Sequence, residues 1–201
     1  MPVRVVLAET DAALRAGLRL LLEAGGRVDV VAEVDPGPGL PAVVRARRPD
    51  VVLVEDVAAV RGLAGGPPVA VLTSSIVDDE VQRAIDLGAA GFLLTDAEPE
   101  SLVRAVLDLA AGGVVFDPRV AAALLPRLRR TALPDSELLC GLSTREREVL
   151  DLLAGGRSNG EIAAELGLTE ATVKSHVSTL LGKLGVRNRV QAALIVHQIR
   201  P

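Results

Sequence analysis

The 201-residue chain has no tryptophan, no tyrosine and two phenylalanines, so its cores must be assembled from Leu, Val, Ala and Ile. Its single cysteine, Cys140, excludes an intrachain disulfide and fits a reducing cytoplasm; beside a linker it reads as an inert thiol. No apolar run reaches the ~18 residues that a membrane span needs, and MPVRVVLAETD lacks the apolar region of a secretory leader. A cytoplasmic protein without membrane attachment is expected. No His/Cys/Asp/Glu grouping has metal-site spacing, and there is no nucleophile–base pair or Gly-rich phosphate loop. No catalytic residue, metal or cofactor is therefore expected, and the chain is not read as an enzyme. Internal repeats and low-complexity tracts are also missing. Lysine is nearly absent: the two copies are Lys174 and Lys183, so residues 1–173 contain none.

What is present divides the chain in two. The length fits two domains of ordinary size. Residues 1–116 hold 10 basic and 17 acidic side chains, whereas residues 117–201 hold 12 and 9. An acidic front and a mildly basic back point to the back as the half that meets nucleic acid.

The most informative stretch is 142–198. Within LTEATVKSHVSTLLGKL, Thr169 stands at a helix start and Glu170 in the first turn, where a carboxylate suits the helix dipole. Val173, Val177, Leu180, Leu181 and Leu184 recur at spacings of three and four, which makes one apolar stripe on an α-helix. Thr172, Lys174, Ser175, Ser178 and Thr179 occupy the other face. Hydroxyls and a cation there make a surface able to lie against base edges and phosphates. Upstream, Ser158 and Glu161 have capping-box spacing; Ile162, Ala163 and Leu166 are the apolar positions, and Gly167 supplies the turn. The unit is a helix-turn-helix. Ser143 to Ala154 forms a helix before it, stopped by Gly155-Gly156, and a last helix runs through Gln198. His176 reads as a packed or interface histidine, and Asn159 as a turn or helix-start residue.

The stretch LSTREREVLDLLAGGRSNGEIAAELGLTEATVKSHVSTLLGKLGVRNRVQAA resembles the DNA-binding domain of the LuxR/FixJ (NarL-type) transcription regulators. The resemblance implies that the third helix of this domain enters the major groove of double-stranded DNA and that the fourth forms a two-fold dimer contact. It places Lys174, Ser175 and Ser178 where relatives meet bases and phosphates; Ser178 stands where a larger or basic residue is common. Thr169, Thr172, Arg187 and Arg189 are further candidate phosphate contacts. Val190, Ala193, Leu194 and His197 fall on the implied dimer seam, so a homodimer is expected.

The front half alternates apolar runs with helical patterns: Val3 to Ala8, a helix from Asp11 to Ala24, Val28 to Val34, a weak helix from Leu40 to Arg48, Val51 to Val54, Val69 to Leu72, a helix from Asp78 to Leu87, Ala90 to Leu94, and a helix from Pro99 to Ala111. This predicts a doubly wound α/β domain with a five-stranded parallel sheet. The connection from Glu55 to Pro68 has room for only about two helical turns, so the third helix is shortened; Val57, Val60 and Leu63, a partner or a ligand would cover the sheet there. In such folds the site lies at the carboxyl ends of the strands, which here carry Glu9, Thr10, Glu55, Asp56, Thr73, Ser74 and Thr95.

LRAGLRLLLEA, RPDVVLVE, VLTS and LGAAGFLLTD resemble the response-regulator receiver domain. That likeness implies phosphoryl transfer to an aspartate, with paired acids holding Mg²⁺ and a lysine and a Thr/Ser binding the phosphoryl oxygens. Carried over, Glu9 and Thr10 stand where two acids belong, Glu55 stands at the acceptor with Asp56 one place later, Thr73 matches, and Thr95 replaces the lysine. Phosphoryl transfer depends on fixed positive charge and close oxygen ligands, so a degenerate receiver is expected.

Three spans follow: a receiver-like domain over 1–116, a helical linker over 117–140 with Pro126 interrupting VAAALLPRLRR, and an all-α four-helix helix-turn-helix domain over 141–201. Arg127, Arg129 and Arg130 in the linker read as a solvated face, or as a patch for the acidic front half or for DNA. The leading expectation is an atypical response regulator: a dimeric transcription regulator controlled by a small ligand, a partner protein or its own concentration. The alternatives are a receiver phosphorylated on Asp56 (or Glu55) and a module that titrates another regulator.

Overall fold

The computed structural model describes residues 1–75, 78–120, 139, 141–186 and 188–199. Strands β1 (Val3–Ala8), β2 (Val28–Val34), β3 (Val51–Val54), β4 (Val69–Thr73), β5 (Gly91–Leu94) and β6 (Val115–Phe116) form one parallel sheet in the order β2-β1-β3-β4-β5-β6. Helices α1 (Ala12–Glu23), α2 (Leu40–Arg47), α3 (Asp78–Leu87) and α4 (Pro99–Ala110) connect the strands, with a 3₁₀ segment over Val57–Leu63 between β3 and β4. The sheet thus has six strands, one more than the five expected. The sixth is two residues long and pairs Val115 with Gly91 and Phe116 with Phe92, too short a run to carry any periodicity. Gly91 permits this edge pairing, because a Cβ there would lie 2.9 Å from the Val115 carbonyl.

Period-two alternation builds the two layers. Val6, Ala8, Val52 and Val54 face the layer of α2, the 3₁₀ segment and α3, while Val5, Leu7, Val51 and Leu53 face Leu18 and Leu22 of α1 and Leu102 and Val106 of α4. In the 3₁₀ segment Val57, Val60 and Leu63 are all buried. Their spacing of three matches the three residues per turn of this helix, so all three fall on one side.

The C-terminal unit contains α5 (Thr144–Ala154), α6 (Asn159–Leu166), α7 (Glu170–Leu184) and α8 (Arg189–Ile199). Full capping boxes, Ser143 with Glu146 and Ser158 with Glu161, start α5 and α6, and Thr169 Oγ1 accepts from the Thr172 N–H to start α7. Gly167 (φ 64°) closes α6 in the left-handed conformation, turning the chain into α7 within three residues. Leu150, Ile162, Val173, Leu180, Leu184 and Ala192 form the core of this unit. Among the described residues, no helix is long and apolar enough to cross a membrane. Pro126, the three linker arginines and Cys140 lie outside the described residues.

Candidate nucleic-acid interface

The stripe of α7 divides as its spacing predicts. Val173, Leu180 and Leu184 are buried, Val177, Leu181 and His176 are half-buried, and Lys174, Ser175 and Ser178 are exposed. Lys174 makes no hydrogen bond or ion pair among the described residues. The remaining hydroxyls are already engaged: Thr172 and Thr169 share a 2.8 Å hydrogen bond between their Oγ1 atoms, and Thr179 Oγ1 donates to the Ser175 carbonyl at 3.0 Å. Arg187 and the side chains of Leu194 and His197 lie outside the described residues. Ala193 is half-buried on the helix core, and Val190 packs against the core of the N-terminal domain.

Lys183, the second lysine, is structural. Its Nζ lies 2.7 Å from Glu146 Oε2 and ties the end of α7 to the start of α5. Lys183 first, and the Ser143 N–H second, hold the Glu146 carboxylate down at about 2 from its ordinary 4.5. A lowered folded-state pKa contributes stability that is present above the ordinary value and lost as pH falls toward 2. Lys183→Met is therefore expected to move acid unfolding of the helical unit to higher pH, read by circular dichroism; an unchanged acid midpoint would show that the pair contributes nothing.

The exposed face of α7 looks toward the other domain. Lys174, Val177, Ser178 and Leu181 line a cavity of about 760 Å³ together with Arg45, Arg48, Leu63 and Pro68 of the N-terminal domain. A duplex whose major groove alone is about 12 Å wide cannot enter such a space. The boundary beside it is held by polar contacts that the sequence did not advertise. Asn188 Nδ2 donates to the Ala89 carbonyl at 2.8 Å, Gln191 Nε2 to Ile85 at 3.1 Å, and the Asn159 N–H to Ala111 at 3.2 Å. Arg189, expected at a phosphate, is instead buried, donating to the carbonyls of Gly112 and Arg157. An arginine at the start of a helix reads from sequence as exposed; only its tertiary surroundings bury it.

The second grouping lies at the carboxyl ends of β1 and β3. Glu9 is buried and accepts from the Asp11 N–H at 3.0 Å; Glu55 Oε2 accepts from the Thr10 N–H at 3.0 Å. Burial pushes the Glu9 carboxyl up, and the neighbouring charge of Glu55 adds to this; the Thr10 N–H holds Glu55 down. The two carboxyls are thus pushed in opposite directions, Glu9 up and Glu55 down. Asp56 follows on the opposite side of the chain, where its Oδ1 caps the 3₁₀ segment by accepting from Ala58 at 2.8 Å. Thr73 Oγ1 accepts weakly from Ser75 at 3.4 Å, and Thr95 is half-buried with its backbone N–H on Thr73. A cation does lie beside the end of β5. Arg119 reaches both oxygens of Asp96, at 2.8 and 3.0 Å, and Asp117 at 3.1 Å, so its charge is already neutralised. Reading for lysine alone missed it.

Residues 141–196 match the family of bacterial regulatory proteins of the luxR type (GerE). The DNA-binding transcriptional activator DevR/DosR of Mycobacterium tuberculosis is 37% identical over 208 residues, covering 98% of this chain and 95% of that protein. The probable transcriptional regulatory protein NarL of the same species is 39% identical over 202 residues, 94% and 91% of the two chains. Among solved structures, the response regulator ChrA of a heme-sensing two-component system superposes with a TM-score of 0.53 at 35% identity, over 99% of this chain and 98% of that one. The signal receiver domain of M. tuberculosis NarL covers 55% of this chain and 98% of its own, at 31% identity and a TM-score of 0.53. A parallel α/β domain of receiver type followed by a capped helix-turn-helix, with full-length relatives of this likeness, makes the chain a member of the LuxR/NarL family of response regulators.

Proposed function

We propose that the protein regulates transcription by inserting α7 into the major groove of double-stranded DNA, with Lys174, Ser175 and Ser178 as the reading and phosphate-contacting face. The observation that carries this is the exposed, unpaired Lys174 beside the exposed Ser175 and Ser178, opposite a buried stripe, on a helix started by a threonine cap. Thr169 and Thr172 flank that face, and Arg187 is a further proposed phosphate contact; Arg189 joins them only when the domains part. Val190, Ala193, Leu194 and His197 are the proposed seam of a homodimer, which likewise requires Val190 to leave the receiver-like domain. The working units are 1–116, the linker 117–140 and 141–201. Lys174→Ala, tested on duplexes selected from a random-sequence pool, is expected to weaken binding roughly five- to tenfold and to reduce the salt slope by about 0.9. A variant with the parental slope would remove Lys174 from the contact.

We further propose that the receiver-like domain lacks the phosphorylation machinery, and that its input is a ligand, a partner or concentration. In support, the Glu9 carboxyl is buried and pushed up where two ionised acids would hold Mg²⁺, Asp56 is occupied as a cap, residues 1–173 contain no lysine, and the β3–β4 connection is shorter than the full helix of typical receivers. Beryllofluoride with Mg²⁺ is expected to leave the oligomeric state unchanged in sedimentation. The second reading, phosphorylation of Asp56, rests on that side chain being exposed. A phosphoryl adduct on Asp56 after acetyl phosphate treatment would establish it and defeat the first.

A further inference from the structure

We propose that the cleft between the two domains is a binding site for a small amphipathic organic anion, which holds the domains together and so opposes DNA binding. The cleft's volume of about 760 Å³ lies within the roughly 300–1,000 Å³ of small-molecule sites. Its apolar surface comes from both sides: Val44, Val60, Leu63 and Leu109 from the receiver-like domain, and Val177 and Leu181 from α7. The short β3–β4 connection shapes one wall, because the chain passes from the 3₁₀ segment straight into Ala64 to Pro68, which line the cleft.

The charges around this apolar surface are mostly positive. Arg45 and Arg48 project from the end of α2, Lys174 from α7 and Arg189 from the start of α8. The one acid in the lining is Asp50, whose Oδ2 already accepts from the Arg4 N–H at 2.9 Å. Arg45, Arg48 and Lys174 have no ion pair among the described residues. Arg45 and Arg48 are a local reversal in a half of the chain that carries a net negative charge, and Lys174 and Arg189 join them from the other domain.

Two features set Arg189 and Arg48 apart from ordinary surface cations. Arg189 is 8% exposed and meets only neutral acceptors, the carbonyls of Gly112 and Arg157 and the amide oxygen of Asn159. Burial without a counter-charge pushes its guanidinium down to about 10, and a nearby anion would offset that cost. Arg48 sits at φ 48° and ψ 60°, the one positive-φ non-glycine among the described residues, on the C-cap of α2. A bulky residue adopts that conformation only at a cost of roughly 1–2 kcal/mol, and such strain collects at ligand clamps.

The ligand class follows: an apolar body that fills the space between Leu63 and Leu181, carrying a carboxylate, sulfonate or phosphate ester for the arginines. Because Lys174 and Ser178 are part of the wall, occupancy and DNA binding draw on the same face and exclude each other. The exclusion rests on the DNA-binding reading above; the site itself does not.

The test uses the full chain and 8-anilino-1-naphthalenesulfonate as an amphipathic anion, with N-phenyl-1-naphthylamine as its neutral counterpart. The expected result is one equivalent of the sulfonate bound with enhanced fluorescence, at least roughly tenfold weaker binding in Arg45→Ser/Arg48→Ser, and weak binding of the neutral probe that the substitutions leave unchanged. Both arginines are exposed, and circular dichroism checks that the double variant keeps its fold. Selected duplex DNA, with binding followed by anisotropy in the same sample, is expected to displace the sulfonate. Equal sulfonate binding by parent and double variant overturns the proposal, as does a neutral probe that binds as tightly. Full sulfonate occupancy on DNA-saturated protein also overturns it, by placing the probe elsewhere. A chain that binds the sulfonate as expected but no duplex keeps the site and instead refutes the reading of α7 as a DNA-contacting helix.

Discussion

Replacing Gly112 with alanine is expected to raise the apparent affinity for DNA about tenfold. Gly112 lies in the turn after α4 at φ 80°, and its carbonyl accepts from Arg189 across the domain boundary. A Cβ at this position would overlap the side-chain amide of Asn159, at the start of α6. Asn159 is buried, and moving its side chain aside breaks the contact of its amide oxygen with Arg189, which itself holds the Gly112 carbonyl across the boundary. The added methyl therefore acts as a wedge between the domains. A chain that is binding-competent only in the open form has an apparent affinity reduced by the open fraction. Removing about 1.4 kcal/mol of preference for the closed form returns a factor of ten. Gly112 is on the receiver side of the boundary and is no part of the proposed DNA face, so the gain is not expected from a new contact with the duplex. The left-handed backbone adds a separate local cost of roughly 1–2 kcal/mol, which lowers the melting temperature of the N-terminal domain without touching DNA. Adding Asn159→Ala to the same chain removes the obstacle and should return the affinity most of the way to the parental value. Equal duplex affinity in Gly112→Ala and the parent, measured by anisotropy, would mean that the closed arrangement does not limit binding.

Leu180→Ala is expected to cost about 2–5 kcal/mol, the largest loss of stability among single substitutions in the helical unit. Leu180 is fully buried on the core face of α7, in the cluster with Leu150, Ile162 and Val173. A unit of roughly sixty residues has little margin, since small domains bury a smaller share of their chain. With no tryptophan or tyrosine to provide a large anchor, the core is a set of branched aliphatic side chains whose interlocking leaves no substitute for a lost isobutyl group. The variant should lose DNA binding and the cooperative thermal transition of the helical unit together, while the N-terminal domain melts as before. Leu180→Met keeps the volume and is expected to cost under about 1.5 kcal/mol. If Leu180→Ala melts within a degree or two of the parent, Leu180 is not the keystone that its burial indicates.

The helical unit was legible because its local rules agree with one another. Ser143 with Glu146, Ser158 with Glu161, and Thr169 each sit where a helix begins, and the apolar spacing between the caps is that of a helix with one buried side. The parallel sheet was legible for the same reason: VRVVLA, VVLV and VAVL are short runs too apolar for a surface. The sixth strand escaped because pairing over two residues leaves no trace in composition. Arg119 escaped because its partner Asp96 is 23 positions away, and nothing local links the two.

By itself, then, the sequence determined the two-part organisation, the capped helix-turn-helix and the identities of Glu9, Glu55 and Thr95 at the ends of the strands, because each is written in spacings of a few residues or in the identity of single positions. Tertiary structure alone decided that Arg189 is buried rather than free, that burial pushes Glu9 up while the Thr10 N–H holds Glu55 down, and that Lys174 and Ser178 line one cationic cleft with Arg45 and Arg48. Those outcomes depend on which surfaces meet when two independently patterned halves pack, and on the desolvation that follows, quantities that no window along the chain contains.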